Sequence, residues 1–391
     1  MPLAIIGAPL FVLGLAAVAT GLLPWEAVAA LADRVVPILG FVAAITVVTE
    51  LLNASGLFEW IAWHFRRWGR GSALALWILV TALSFAATVF LSLDTTAVLL
   101  TPIVVLLARR CGLPPLPFAL TTVWLANTGS LLLPVSNLTN LLALHALGNI
   151  SPAEFALRMA LPALWCAFVP ALAVIVLFRK GLTGRYRVDL GTAHMDAADP
   201  VLLRLGTVVL ALLLPALVSG VAVWIPATAA AVVLVAGFAV RRRSVLKWAL
   251  VPWQLILFAG GLFIVMEALQ GLGARELAAW ALGPGGGNSG QGPLDLVRVA
   301  AIGAVGANVV DNLPAYLAFE AAAGSPSRLA ALLVGVNAGP LITPWASLAT
   351  LIWHEQLRRL GVQISWWGYA AAGAVLVPLL IIPAALLAGV P

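Results

Sequence analysis

Two aspartates, Asp94 in "SLDTT" (92–96) and Asp311 in "NVVDNLP" (308–314), interrupt long apolar stretches, and no Lys or Arg falls at a similar depth in either. A carboxyl group so placed can take up and release a proton, or accept hydrogen bonds from a hydroxyl-bearing solute. Each is followed by a second polar interruption, "NTGSLLLPVSNLTNLL" (127–142) and "NAGPLITPWAS" (337–347). In the first of these, seven of sixteen residues carry a hydroxyl or amide: Asn127, Thr128, Ser130, Ser136, Asn137, Thr139 and Asn140. Such a stretch is either a loop in water or a helix opened inside a membrane to hold something.

Composition favours the membrane. The chain has 391 residues, 63% of them hydrophobic and 9% charged, with a mean hydropathy of +1.08. That is more apolar surface than one soluble core buries, and it reads as an all-α polytopic membrane protein. The net charge of +6 does not point to nucleic acid, because the basic residues sit in short loops between apolar runs, where they set topology. Cys111 and Cys166 offer neither a metal spacing nor a disulfide framework. The N-terminal stretch, without a basic leader or cleavage site, is read as a retained first span.

Runs long enough to cross a bilayer fall at 3–22, 35–52, 157–178, 201–220, 222–240, 249–270 and 367–390. The regions 72–147 and 294–357 are apolar but twice interrupted. If Asp94 and Asp311 sit at the tips of re-entrant hairpins, and the later interruptions are breaks midway through crossing helices, every loop acquires a side. Sixteen Lys and Arg then lie on one side, in the clusters 66–70, 109–110, 179–187, 241–247 and 358–359 together with Arg204. Five, Arg34, Arg158, Arg275, Arg298 and Arg328, lie on the other. The excess marks the first side as cytoplasmic, puts the N-terminus there and the C-terminus outside, and fits the inner (plasma) membrane. One tension remains: arm 72–90 nearly spans, while 96–108 is too short to return. The stretch "FEWIAWHFRRWGRG" (58–71) reads as an amphipathic helix on the inner surface or as an ordinary interfacial loop. "GPGGGNSGQGP" (283–293) reads as a flexible linker.

Shifting the second half by 210 positions superposes Asn337 on Asn127, Gly339 on Gly129, Leu341 on Leu131, Pro344 on Pro134, Leu348 on Leu138 and Leu351 on Leu141. Opposite orientation of the two copies makes this an inverted repeat, the sequence pointer to a secondary transporter whose site lies near mid-bilayer. Residues 1–178 form the first repeat, with hairpin 72–108 and broken helix 116–147. A cytoplasmic loop and linking span occupy 179–221, and the second repeat, 222–391, carries hairpin 294–323 and broken helix 328–357. A helix broken in hydrocarbon leaves backbone groups unsatisfied, each costing several kcal/mol. Nearby hydroxyls and amides can answer them, with Gly129 and Gly339 permitting unusual dihedrals and Pro134 and Pro344 removing one donor apiece. A merely kinked helix whose polar residues bond their own carbonyls is the plainer alternative.

An ionised carboxylate at mid-depth costs about 2.5–3.5 kcal/mol on insertion scales, so Asp94 and Asp311 are candidates for proton coupling, or else simply cap their tips. Two such groups without a cation repel a di- or tricarboxylate. A small neutral hydroxylated solute exchanged against protons suits them better. Glu50, Glu267 and Glu320 are secondary candidates near span ends, Glu355 is expected to pair with Arg358 and Arg359, and His145 and His354 are expected at interfacial helix ends.

At "FLSLDTTAVLLTP" (90–102), "NTGSLLLPVSNLTNLL" (127–142), "GANVVDNLPAY" (306–316) and "NAGPLITPWASLATLIWHEQL" (337–357), the chain resembles the ArsB-type arsenite/antimonite permeases of the ion transporter superfamily. Dicarboxylate and sulfate carriers of that superfamily carry Ser-Asn-Thr at their hairpin tips, where this chain has Ser92-Leu93-Asp94-Thr95 and Asn308-Val309-Val310-Asp311-Asn312. The resemblance implies a scaffold and a mobile transport domain, a homodimer, efflux of trivalent metalloid driven by protons, and in some members a soluble ATPase at the cytoplasmic face. Arsenite at neutral pH is mostly an uncharged trihydroxide. It could donate to Asp94 or Asp311 and engage Asn127, Thr128, Ser130, Asn137, Asn308, Asn312, Asn337, Thr343 and Ser347, beside the tip residues Ser92, Thr95 and Thr96. Thiolate capture needs about three converging sulfurs, so recognition as a hydroxide, without a bound metal or cofactor, is expected. The alternatives are a sodium-coupled organic anion or sulfate carrier, a sodium/proton antiporter, or a structural membrane subunit. An intramembrane enzyme lacks support, since no protease-like Asp pair, zinc spacing or Ser-His dyad is present.

Overall fold

The computed structural model describes residues 3–186, 199–283 and 292–389. The expected linker around 284–291 and part of the loop between the halves, 187–198, lie outside the described residues. Helices account for the described architecture; the one β-type pairing is an isolated bridge between Ser72 and Arg185.

Among the described residues, seven helices are long and apolar enough to cross a membrane: Trp25–Ala54, Ala73–Leu91, Pro152–Leu182, Trp224–Arg241, Trp253–Leu282, Pro293–Val310 and Trp366–Leu387. Leu3–Ala19 and Pro200–Ala216 are shorter apolar helices. Several outrun the sequence reading, because an apolar window misses polar ends that still hydrogen-bond as helix. Trp25–Ala54 thus begins ten residues before the expected 35, and Pro152–Leu182 opens with a Ser151–Glu154 capping box.

The same order of elements occurs in both halves. A helical hairpin (Ala73–Leu91 returning through Leu93–Thr95, Thr96–Leu100 and Thr101–Arg110) precedes a broken helix (Pro115–Thr128, then Leu138–Ala146) and the long Pro152–Leu182. Later, Pro293–Val310 returns through Asn312–Glu320, followed by Pro326–Ala338 broken before Leu348–Arg359, and then Trp366–Leu387. The helices that precede each hairpin are exchanged: Leu3–Ala19 packs along Trp253–Leu269, and Trp224–Arg241 along Trp25–Ala54. Close approach at the first pair is possible because Gly7 faces the Phe258 backbone and Gly261 faces that of Phe11, leaving no room for a Cβ.

Leu57–Trp68 is a helix, as one of the two readings of 58–71 held. It buries Leu57, Phe58, Ala62 and Phe65 on one face, and the Arg67 guanidinium lies 5.7 Å from the Trp63 ring centre on its other side. Glu355 pairs with Arg358 and Arg359 at 2.8 and 3.0 Å, as their spacing anticipated.

Candidate functional site

The four polar interruptions converge on one cavity of about 460 Å³. The first hairpin contributes Ser92, Asp94 and Thr95, the second Asp311 and Asn312, the first break Asn137 and the second Ser347. Helices Trp25–Ala54 and Trp253–Leu269 close the other wall, with Thr46, Thr49 and Glu50 from one and Gln254 from the other. No Lys, Arg or His lines the cavity among the described residues, nor does either cysteine. Cys111 and Cys166 are both buried and free.

The first hairpin turns at Ser92, within the segment 92–96 expected at its tip. Ser92 (φ 117°) and Asp311 (φ 128°) occupy corresponding turns in a region of backbone space that side chains avoid, at a cost of about 1–3 kcal/mol each. Each caps the returning arm with its own side chain: Ser92 Oγ accepts from the Thr95 N–H at 3.3 Å, and Asp311 Oδ1 from that of Leu313 at 3.2 Å. Asp94 lies two residues further on, in the first turn of its arm. The carboxyls are therefore not related by the repeat, although they are near enough to interact electrostatically. Thr96 lies off the cavity, donating to Ser92 O at 3.1 Å.

Both breaks have backbone torsions in the ordinary helical range at their glycines, Gly129 (φ −73°) and Gly339 (φ −69°). Unusual dihedrals are thus not what glycine supplies here. Gly339 instead permits contact with the backbone of Ala304 in the hairpin arm. Pro134 and Pro344 each begin a short 3₁₀ turn, Pro134–Ser136 and Pro344–Ala346, where a missing N–H costs nothing.

Most of the remaining amides and hydroxyls bond to protein and do not line the cavity. Asn140, which the sequence reading noted but did not select, donates to Ser130 O at 2.6 Å and Leu133 O at 3.0 Å, two carbonyls freed by the first break. Asn308 does the same for the second, donating to Gly339 O at 2.8 Å and accepting from the Thr343 N–H at 2.9 Å. Thr128 and Ser130 bond to nearby carbonyls, Trp124 O and Asn127 O. Asn337 accepts from Asn137 Nδ2 at 2.7 Å and donates to Asn140 Oδ1 at 2.9 Å. Asn127 donates to Thr350 Oγ1 at 3.2 Å.

The last two contacts are counterparts. Subtracting the repeat offset, 337 − 210 = 127 and 350 − 210 = 140, so each copy reaches the same position of the other. Reciprocal contacts of this kind are what a two-fold relation between the breaks produces. Ser347 Oγ and Asn127 Oδ1 are buried without a protein hydrogen-bond partner.

Two further observations place the cavity along Trp25–Ala54. Arg242 donates to Ala54 O at 3.1 Å, so the end of Trp25–Ala54 that lines the cavity adjoins the basic segment 241–247. Toward the other end, Arg34 pairs with Glu320, which also accepts from Tyr316 Oη at 3.0 Å, while Arg34 donates to Leu142 O at 3.3 Å. Arg34 thereby ties Trp25–Ala54 to the second hairpin and the first broken helix. Glu267, His145 and His354 do not line the cavity.

A helical fold with this number of apolar spans and a polar cavity between paired hairpins and broken helices is that of a multi-pass membrane transporter. The chain belongs to the family described as citrate transporter (CitMHS), whose match covers residues 3–333. It is 31% identical over 372 residues to the arsenical pump membrane protein of Escherichia coli (strain K12), covering 88% of this chain and 84% of that one. Its identity to the arsenical pump membrane protein of Yersinia enterocolitica is 32% over 369 residues, with the same coverage of 88% and 84%. The resemblance carried by the four motifs therefore extends along the chain. The crystal structure of the Alcanivorax borkumensis YdaH transporter matches 94% of this chain and 89% of its own at a TM-score of 0.60 and 17% identity, a likeness of fold.

Proposed function

We propose that this chain exports trivalent arsenic or antimony, as the neutral hydroxide, in exchange for protons across the inner membrane. The observation that carries this reading is the cavity's chemistry: carboxyls, amides and hydroxyls line it, and among the described residues no cation or thiol does. A tricarboxylate such as citrate would meet Asp94, Asp311 and Glu50 with nothing to offset its charge. A trihydroxide supplies the donors that three carboxyls and Ser347 Oγ can accept. Its release is rapid because no metal–sulfur bond has to break.

Asp94 and Asp311 carry the coupling in this reading. Both approach the cavity on hairpins taken to be re-entrant from opposite sides. The amides off the cavity, Asn127, Asn308 and Asn337, hold the broken helices open, and Asn137, Asn312 and Ser347 contact the solute. The positive-inside assignment makes the segment 241–247 cytoplasmic, so the cavity faces the cytoplasm and the Arg34–Glu320 pair closes the outer side. A second copy of the chain and a soluble ATPase are further partners in this proposal.

Exchange of a neutral solute for one proton moves one charge inward per cycle. At about 2.3 kcal/mol per 100 mV, this sustains a gradient of a few tens-fold without ATP. The test is arsenite uptake into everted vesicles, with and without a pH gradient and with and without sodium. Uptake driven by an acid interior and indifferent to sodium is expected; sodium dependence, or uptake of citrate in place of arsenite, overturns the reading.

A further inference from the structure

Only two of the three carboxyls on the cavity wall belong to hairpins. The third, Glu50, sits on Trp25–Ala54, whose cavity face runs through Phe41, Ile45, Thr46, Thr49 and Glu50 with helical spacing. Nothing local calls for an acid there. Glu50 lies in the last turns of its helix, where the backbone dipole disfavours a negative charge, and no hydrogen bond or ion pair engages it among the described residues.

Its neighbours narrow what the strip can bind. Thr46 Oγ1 donates to Val42 O and Thr49 Oγ1 to Ile45 O, both at 2.7 Å. Their donors are spent on their own helix, and lone pairs are what they retain for a solute. With the Glu50 carboxyl, the strip therefore presents acceptor oxygens to a solute. It is also separate from the hairpin carboxyls: among the described residues no three acidic, His or Cys side chains lie close enough to share a metal ion, so Glu50 is not a third ligand beside Asp94 and Asp311.

We propose that Thr46, Thr49 and Glu50 form a first binding station near the mouth of the cavity, at the end of the helix held by Arg242. It takes a neutral polyhydroxy solute through its O–H donors and turns anions away before the solute reaches the hairpin tips. The inference rests on the proposed function for the direction of travel and the class of solute. Glu50 is assigned a part in affinity and selectivity, with no part in coupling.

Initial rates of arsenite uptake in everted vesicles, measured against concentration for the full chain and its variants, test this. Glu50→Gln should raise KM roughly ten-fold, as loss of a charge-assisted contact does, with Vmax within about two-fold of the parent. Glu50→Asp should restore most of the affinity. Thr49→Val, which keeps the side-chain shape and removes the hydroxyl whose donor is already spent on Ile45 O, should raise KM about three-fold. An unchanged KM in both Glu50→Gln and Thr49→Val overturns the station while leaving the transport reading intact. A loss of Vmax at constant KM in Glu50→Gln overturns it by making Glu50 a coupling group. Absence of arsenite uptake by the parent chain removes both proposals.

Discussion

The two breaks satisfy the same physical demand by different means. In the first, the chain answers itself: Asn140 takes the freed carbonyls of Ser130 and Leu133, and Asn137 accepts from the Thr139 N–H at 3.2 Å to cap the resuming helix. In the second, the hairpin answers. Asn308 takes Gly339 O and the Thr343 N–H, Asp311 on the same hairpin caps its returning arm at the Leu313 N–H, and Ser347 makes no cap of its own. The freed carbonyls of the first break are thus answered from within it, while Ser136 Oγ donates to Val89 O of the first hairpin at 2.8 Å. The second break is held open by the element that carries a proposed coupling carboxyl, so a change at Asp311 is felt at once by the helix that also lines the cavity.

The largest effect should come from the carboxyls. Asp94→Asn and Asp311→Asn are each expected to lower metalloid efflux at least ~100-fold, read as resistance in a sensitive host with membrane expression intact; proton transfer by a positioned group is worth about 10²–10⁴. The two should differ in stability. Asp311→Asn loses charge at the Leu313 N–H that its carboxyl caps and should lower the unfolding temperature in detergent, whereas Asp94→Asn should not.

Next in size is the amide pair. Asn140 is fully buried, so Asn140→Ala strands the Ser130 carbonyl and an Asn337 donor and leaves Leu133 O with the Ser136 N–H alone, at about 2–4 kcal/mol. Asn308 is part-buried, and water can replace some of its bonds, so Asn308→Ala should cost about 1–2 kcal/mol yet impair transport more. Equal destabilisation by the two would erase the contrast between the breaks.

A smaller change, of opposite sign, is expected at the first turn. Ser92→Gly relieves the strained φ of 117° and should raise stability by roughly 1 kcal/mol. Asp311→Gly cannot match it, because the carboxyl caps Asn312–Glu320 with a charged acceptor.

The smallest effect lies outside both breaks. The Arg241 guanidinium, hydrogen-bonded to Asp199 at 2.6 Å, holds that carboxyl below the usual range while it caps Pro200–Ala216. Its stabilisation is fully present above a pH of about 4 and is lost as pH falls through the depressed value. The difference between parent and Asp199→Asn should therefore stay constant from neutral pH down to mild acid and shrink only below it.

Much of this was legible beforehand because bilayer chemistry writes itself plainly into composition. Apolar length gave most of the spans, and the Asn–Gly–Leu–Pro recurrence marked both breaks. Glu50 was not legible as a cavity residue. It stands near the end of an apolar run, as a boundary acid does, and only the packing of Trp25–Ala54 against the hairpin tips turns it inward. Asn140 was passed over for a related reason: an amide that bonds carbonyls seven and ten residues back has no spacing signature. Asp94 and Asp311 looked equivalent because one-dimensional alignment has no torsion angles, and it is the positive φ at Ser92 that shows which residues truly correspond.

By itself the sequence determined that the chain lives in lipid, that its helices are broken twice in matched places, and that two acids interrupt otherwise apolar stretches, since each follows from local polarity and spacing. The tertiary structure alone decided that the four interruptions share one cavity, that Asn127 and Asn337 exchange partners across the two-fold, and that Arg34 meets Glu320 far along the chain. Such contacts depend on how helices cross, and crossing is set by where small residues let backbones approach, a property of pairs of surfaces that no single stretch of chain contains.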